Sequence, residues 1–339
     1  MSASRILTVL ALGVIIAISL TTFWDLARQS SGRTLTIYGY SAMEEPLKNE
    51  VIPAFQEWYR QTHGEEVEIV TSFAGSGHIF NQIRAGAPAQ VAIFATEIEP
   101  TKLMEDGLIT TDWRTFPDNG TFALTVAVIL TRDGNPQNIK SFDDLGNNGV
   151  DVLIPDPTTS GGAQWAILAL YGSAFLNDTG IPSEGGTEPA AKLLKRVINN
   201  ASSLPESARK ALTQFGLGYG DALLTYENDA LVDIAKGLDY EIIMPQSTIS
   251  IEPKVVIIDA NVGEEDAALV GEFMDFLWGA EAQEAMAKHH FRVVDQTVFQ
   301  RHAADFQEVA SSFTIDDLGG WDEASVQVIE GAWREAQRD

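Results

Sequence analysis

At 339 residues the chain is long enough for two domains with a substantial core, and 45% hydrophobic against 21% charged residues excludes disordered and fibrous classes. With 22 Lys and Arg against 48 Asp and Glu, the formal charge is −26 and no basic run occurs, which excludes nucleic-acid binding that works by neutralising phosphates. The absence of cysteine removes disulfides, thiolate nucleophiles, Cys-ligated zinc and lipobox lipidation, and none of the five His pair at i, i+4, so no metal or other cofactor is expected.

A single early cation, Arg5, precedes an uncharged run that starts at Ile6 and ends at Trp24. As a helix, that run spans roughly 28 Å, close to the hydrocarbon core of a bilayer. It reads as an uncleaved inner-membrane anchor or a cleaved signal peptide, and either exports the rest of the chain to a periplasmic or equivalent extracytoplasmic compartment. Residues 28–33 have the polar, Ser- and Gly-containing composition of a tether, so residues 1–33 stand apart from the folded body.

Residues 35–40 predict a short buried strand, followed by an amphipathic helix over 45–63 in which Leu47, Val51, Phe55 and Trp58 or Tyr59 recur at helical spacing. A strand over 67–73, a helix carrying Ile79 and Ile83, and a strand over 91–95 come next, the alternation of an open parallel sheet. Residues 121–131 form a long β-rich run that ends at Asp133-Gly134-Asn135-Pro136, a strong turn signal. A second α/β set then predicts strands over 150–154, 221–226 and 240–244, with helices over 163–175, 189–200, 204–215 and 230–237. Residues 254–259 are again β-rich, and helices are expected near 265–278, 280–289, 295–309 and 322–337. Two α/β sets separated by two β-rich runs predict two lobes joined by paired crossing segments, with a ligand cleft between them.

Two loops in that pattern could carry chemistry. Ala74-Gly75-Ser76-Gly77-His78 lies between a strand and a helix, where glycines allow close backbone approach and the helix start offers N–H donors to an anion. A plain turn with Ser76 as a cap is the alternative reading. Thr158-Thr159-Ser160-Gly161-Gly162-Ala163 repeats the arrangement in the other half of the chain, and two such loops at strand carboxyl ends would face one crevice. No P-loop or dinucleotide-binding glycine pattern appears, and neither G-x-S-x-G nor H-E-x-x-H is present. The acid pairs Glu44-Glu45, Asp143-Asp144 and Glu264-Glu265 fall at expected helix starts, where they satisfy free N–H groups. Arg209 reads either as a solvated surface residue or as charge near the site.

Three segments carry a resemblance. Asp156-Pro157-Thr158-Thr159-Ser160-Gly161-Gly162-Ala163-Gln164-Trp165, then Gly220-Asp221-Ala222-Leu223-Leu224-Thr225-Tyr226-Glu227-Asn228-Asp229-Ala230, and Phe313-Thr314-Ile315-Asp316-Asp317-Leu318-Gly319-Gly320-Trp321 resemble the periplasmic sulfate/thiosulfate-binding proteins of ABC transporters. The likeness covers about residues 35–325, and the stretch from Gly75 to Ala95 is also similar to the related molybdate-binding proteins.

The resemblance implies an α/β, two-lobed type II periplasmic-binding-protein fold: two open, mostly parallel sheets and a two-segment hinge. Residues 34–126 and 250–310 would form lobe 1, residues 127–249 lobe 2, and 311–339 a C-terminal helical segment. It implies a monomeric, non-enzymatic protein that closes over sulfate, thiosulfate or a similar tetrahedral oxyanion and delivers it to ABC permease subunits. Carried over by motif, the ligand-binding positions are Ser76, Ser160, Gly161, Gly162, Ala208, Tyr226 and Ser41. Three departures from the family pattern stand out: Tyr226 replaces a Trp, Tyr40-Ser41-Ala42 replaces Tyr-Asp-Pro, and Glu206-Ser207-Ala208-Arg209-Lys210 replaces a more Gly-rich loop. Molybdate, tungstate or phosphate binding is the alternative within the superfamily. A ligand-free membrane-anchored sensory or structural module and an enzyme acting on a small anion are the alternatives of other classes.

Overall fold

The computed structural model describes residues 33–177 and 185–338. The apolar run from Ile6 to Trp24 lies outside the described residues, and among those described no helix is long and apolar enough to cross a membrane.

In chain order, the first half supplies β1 (Arg33–Tyr40), α1 (Ile52–His63), β2 (Val67–Ala74), α2 (Ser76–Arg84), β3 (Val91–Phe94), α3 (Ile98–Glu105) and β4 (Ala123–Arg132). The chain is already helical from Ser41, through a 3-10 turn at Ser41–Met43 and a π-type turn at Leu47–Val51, before it settles into α1. Next come β5 (Val152–Leu153), α4 (Gly161–Phe175), α5 (Thr187–Asn199), β6 (Ala201–Ser203), α6 (Ala208–Gly216), β7 (Ala222–Tyr226) and α7 (Glu227–Ala235). The chain continues through β8 (Tyr240–Ile243), β9 (Ser247–Ile251), β10 (Lys254–Ile257), α8 (Ala267–Leu277), α9 (Ala280–Lys288), β11 (Arg292–Val293), α10 (Gln296–His302) and β12 (Ser311–Phe313). A C-terminal helical run starts at α11 (Gly320–Ala324) and continues through a π-type segment to Ala336.

These strands form two sheets. The first has the order β10-β3-β1-β2, with β1, β2 and β3 parallel and β10 antiparallel to β3. The second runs β12-β9-β4-β7-β5-β6, and β8 and β11 also pair with β4. It is mixed, because β4 runs antiparallel to β7, β8, β9 and β11 while β5 is parallel to both β6 and β7. At Thr125↔Ile251 and Val126↔Ser250, β4 and β9 lie side by side. From there β9 passes through Glu252 and Pro253 into β10 of the first sheet. Two adjacent strands therefore connect the lobes, and a hinge needs little more than their bending.

One large apolar cluster runs from Leu35 and Phe55 on the first sheet's side to Ile167, Leu193 and Trp333 on the second. α4 is buried almost all round, since it is covered on one side by strands and on another by the C-terminal run, where Trp165 and Trp321 meet edge to face at 4.8 Å.

Several elements differ from the sequence expectation. α7 begins at Glu227, directly after Tyr226, and not at 230, because the polar run Glu227, Asn228, Asp229 is buried and Arg292 grips Glu227 with two hydrogen bonds of 2.6 and 2.9 Å. α6 begins at Ala208 and not near 204, since Pro205 precedes it and Ser207 caps it by accepting from Lys210 N–H. The helix expected over 295–309 ends at His302. The strands β6, β9, β11 and β12 and the helix α3 are additions to the pattern read from the sequence.

Candidate functional site

Three helices open at the cleft: α2 at Ser76, α4 at Gly161 and α6 at Ala208, while the helical run after β1 opens at Ser41. Each opening leaves first-turn N–H groups without an intrahelical acceptor and sets the positive end of the helix dipole there. The lack of side chains on the two glycines measures how tightly these openings converge. A Cβ on Gly161 would lie 2.6 Å from Ala95 Cβ and 3.0 Å from Ser76 Oγ, and one on Gly162 would lie 3.0 Å from both Ala208 Cβ and the Tyr226 hydroxyl. The Ser41–Met43 turn packs on α6, and the Tyr40 and Tyr226 rings meet edge to face at 6.0 Å. Ser41, Ser76, Gly161, Gly162, Ala208 and Tyr226 are thus brought to one place, with Ser160 as the residue that caps α4.

The hydroxyls play different parts. Ser76 is the first helical residue and not a cap; its Oγ accepts from Ala95 N–H at 3.1 Å, which leaves its own proton to donate. Ser160 is a cap, accepting from Ala163 N–H at 3.3 Å, and its hydroxyl proton is likewise free to donate. The Tyr226 and Tyr40 hydroxyls are buried and have no hydrogen-bond partner. Burial pushes the pKa of both phenols well up, and the carboxyl of Asp229 adds to it, so both stay protonated donors across the ordinary pH range. A buried unsatisfied polar group is costly, so two of them beside helix N-termini mark a place where an acceptor belongs.

Three residues near this place were not singled out from the sequence. Tyr40 ends β1 at the cleft, and its position at a strand end before a helical turn was the available signal. Asp229 is 1% exposed, with Oδ1 3.3 Å from Arg209 and Oδ2 unpartnered; burial raises its carboxyl pKa in spite of Arg209. Glu99 is 4% exposed and hydrogen-bonded by Thr96, and burial raises its carboxyl as well. Arg209 is no solvated surface residue, because it is clasped between Asp229 and Glu45.

The two lobes touch around this centre. Gly77 N–H donates to Thr159 O at 3.1 Å, and the Trp165 indole donates to Ala95 O at 2.6 Å. A Cβ on Gly75 would lie 2.3 Å from Thr159 O, so only glycine permits the approach. Ser76 and His78 do not pair: the serine oxygen is engaged by Ala95, and His78 Nε2 is buried without a partner. Glu227 turns away toward Arg292. Among the described residues no group of three or more His, Asp or Glu is placed to hold a metal ion.

The chain matches the family described as bacterial extracellular solute-binding protein over residues 35–292. It is 31% identical over 304 residues to a sulfate-binding protein of Synechococcus elongatus, covering 88% of this chain and 85% of that one. To a thiosulfate-binding protein of Pseudomonas aeruginosa it is 28% identical over 307 residues, covering 88% and 86%. Among solved structures, the sulfate-binding protein SubI of Mycobacterium tuberculosis superposes with a TM-score of 0.79 at 29% identity, over 87% of this chain and 99% of that one.

Proposed function

The chain belongs to the bacterial extracellular solute-binding proteins, and from that premise we propose that it captures sulfate or thiosulfate between its lobes and hands it to the permease of an ABC importer. The observation that carries this reading is the convergence of helix openings with two buried, unpartnered tyrosine hydroxyls. Donors of this kind complement a tetrahedral oxyanion without a bound cation. Hydrogen bonds to a charged group contribute roughly 1.5–3 kcal/mol each, so several together offset much of the desolvation of a dianion.

We assign ligand contact to Ser41, Ser76, Ser160, Gly161, Gly162, Ala208 and Tyr226, and add Tyr40. Lobe 1 would comprise 34–126 and 250–310 and lobe 2 residues 127–249, and the monomer would work outside the cytoplasm by capture and delivery, with no catalytic step. The surface charge of −26 does not oppose this, because screening over about 8 Å mutes distant carboxylates while donors in contact are unscreened.

Calorimetric titration of the protein with sulfate, thiosulfate, molybdate, tungstate and phosphate tests the reading. Sulfate or thiosulfate should bind, and Ser76→Ala, Ser160→Ala and Tyr226→Phe should each weaken binding by about 1–3 kcal/mol. Ser160→Ala should also lower stability by about 1 kcal/mol, since its hydroxyl caps α4. Unchanged affinity in all three variants would place the ligand elsewhere, and no heat with any oxyanion would remove the reading.

A further inference from the structure

We propose that the protein carries a second small-molecule site, a groove across the two lobes that takes a short organic dicarboxylate and favours the closed form when occupied. Its effect on oxyanion affinity rests on the reading above; the site itself does not. The groove has a volume of about 350 Å³, the size of a small-ligand pocket, and shares none of the residues assigned to oxyanion contact. One wall comes from α2 and α3 of the first lobe. The other comes from the loop before α4 and from the C-terminal helical run, which packs on α4 and α5.

Each wall carries one cation, Lys102 on α3 and Arg334 on the C-terminal run. Among the described residues neither is in an ion pair, which is unexpected in a chain with 48 acids for 22 basic residues. Both are exposed, so one pairing alone contributes little and a ligand gains by engaging the two together. The walls also carry apolar side chains, Phe80 and Ile98 from the first lobe and Ile329 and Trp333 from the second. Two carboxylates joined by a few methylenes match both features, with one acid for each cation and the methylenes against the apolar groups. A monoacid meets only one cation, and an inorganic dianion leaves the apolar groups in water.

Two acids line the groove as well. Glu99 is 4% exposed, accepts from Thr96 at 2.6 Å, and has its carboxyl pKa pushed up by burial, so its charge weighs less against a bound anion. Glu330 is exposed, and solvent screens it. The groove borders the place where the lobes touch: Gly77 and Gln164 line it, and they lie 3.1 Å from Thr159 O and 3.2 Å from Thr96 Oγ across the cleft. Parting the lobes separates the walls, so a molecule that touches both binds the closed form selectively. An oxyanion held between the lobes favours the same form, and the two ligands must therefore strengthen each other reciprocally.

Sulfate titrated into the full-length protein with and without glutarate, at matched ionic strength, tests the linkage. Saturating glutarate should lower the sulfate dissociation constant about fivefold, and butyrate, with one carboxylate, should not. Lys102→Ala and Arg334→Ala should each remove that gain while leaving sulfate affinity without glutarate within about twofold of the parent. With no oxyanion present, glutarate should raise the melting temperature of the parent by about 2 °C and leave either variant unmoved. An unchanged sulfate constant in glutarate, an equal gain from butyrate, or a gain that survives both substitutions overturns the inference and leaves the oxyanion reading intact. If no oxyanion binds, that reading fails and the melting temperatures alone decide the groove: no shift in the parent, or the same shift in both variants, overturns it.

Discussion

Two of the contacts between the lobes are of opposite chemistry. In one, Glu45 on the first lobe reaches Lys236 at 2.7 Å and Arg209 at 3.5 Å on the second, and Arg209 in turn rests on the buried Asp229. In the other, Thr96 of the first lobe donates to Glu99 on its own lobe at 2.6 Å and lies 3.2 Å from Gln164 Oε1 across the cleft, among buried side chains with no cation in hydrogen-bond contact. The ionic contact is partly open to solvent and attracts before the lobes touch, within a screening length of about 8 Å. The hydrogen-bonded contact acts only once the surfaces are in register. The first can therefore attract lobes that stand apart, and the second can form only when they are closed.

The ionic contact can be broken most severely through Arg209. Arg209→Met leaves Asp229, 1% exposed, without the cation that answers its charge. Stranding a buried charge costs about 3–5 kcal/mol, so thermal or urea unfolding should show a loss near 3 kcal/mol, given that Arg209 is partly exposed. Adding Asp229→Asn should recover most of it. A single variant as stable as the parent would mean that water already compensates Asp229.

Gly161→Ala attacks both contacts at once. Its new methyl would sit 2.6 Å from Ala95 Cβ of the opposing lobe, a distance neither backbone can yield to without the lobes parting. Overpacking of this kind costs about 1–3 kcal/mol, and here the cost falls on the closed state. Oxyanion affinity should therefore drop at least about tenfold while the melting temperature without ligand changes little. The reverse outcome would show that the lobes do not need to meet at this point.

Much of this arrangement was legible in the chain because its signals are local. Ser or Gly at the start of an apolar helical pattern marks a helix opening wherever it folds, so the loops at Ser76 and Ser160 could be read from spacing alone. Asp229 and Glu99 could not be read so. Each looks like an ordinary acidic residue of a helix first turn, and only burial by the other lobe or a neighbouring strand makes it unusual. Glu45 shows the same limit: it sits in a helix first turn as expected, yet its partners Lys236 and Arg209 are distant in sequence. β9 escapes a sequence reading because Ser247–Ile251 alternates hydroxyl and apolar residues too briefly to stand out, and β4 is what pairs it.

Acidity should separate the two contacts. Burial raises the Glu99 carboxyl pKa, so between the unfolded and the folded value the folded state binds a proton that the unfolded chain has lost. The stability this contributes is present below the unfolded pKa and is lost as pH rises through the folded one. At Glu45, burial would raise the carboxyl, but the Lys236 hydrogen bond and the charges of Lys236 and Arg209 outweigh it and lower the pKa. Its contribution is present above the unfolded value and lost only as pH falls through the lower folded one. Asp229 shifts in the same direction as Glu99, so the Glu99→Gln variant is needed to isolate one group from the other. Between pH 7 and 5 the parent should gain stability relative to Glu99→Gln, by about 1 kcal/mol at most, on the scale of one hydrogen bond. Parallel pH profiles would show that Glu99 stays ionised and bonded only to Thr96.

The smallest effect belongs to Lys236. It pairs with Glu45 at 2.7 Å, but its side chain is 48% exposed and Glu45 27% exposed, so the attraction is diluted by water and offset by the entropy of holding two long side chains. Lys236→Ala should cost no more than about 0.5 kcal/mol in oxyanion affinity at low salt. Near 1 M salt, where the screening length falls to about 3 Å, the parent and the variant should bind alike. The loss in Gly161→Ala arises from atomic overlap and should persist unchanged at the same salt. A Lys236→Ala deficit that survives high salt would place this lysine in packing contact with the cleft, and the division between a contact that attracts and one that forms only on closure would no longer hold.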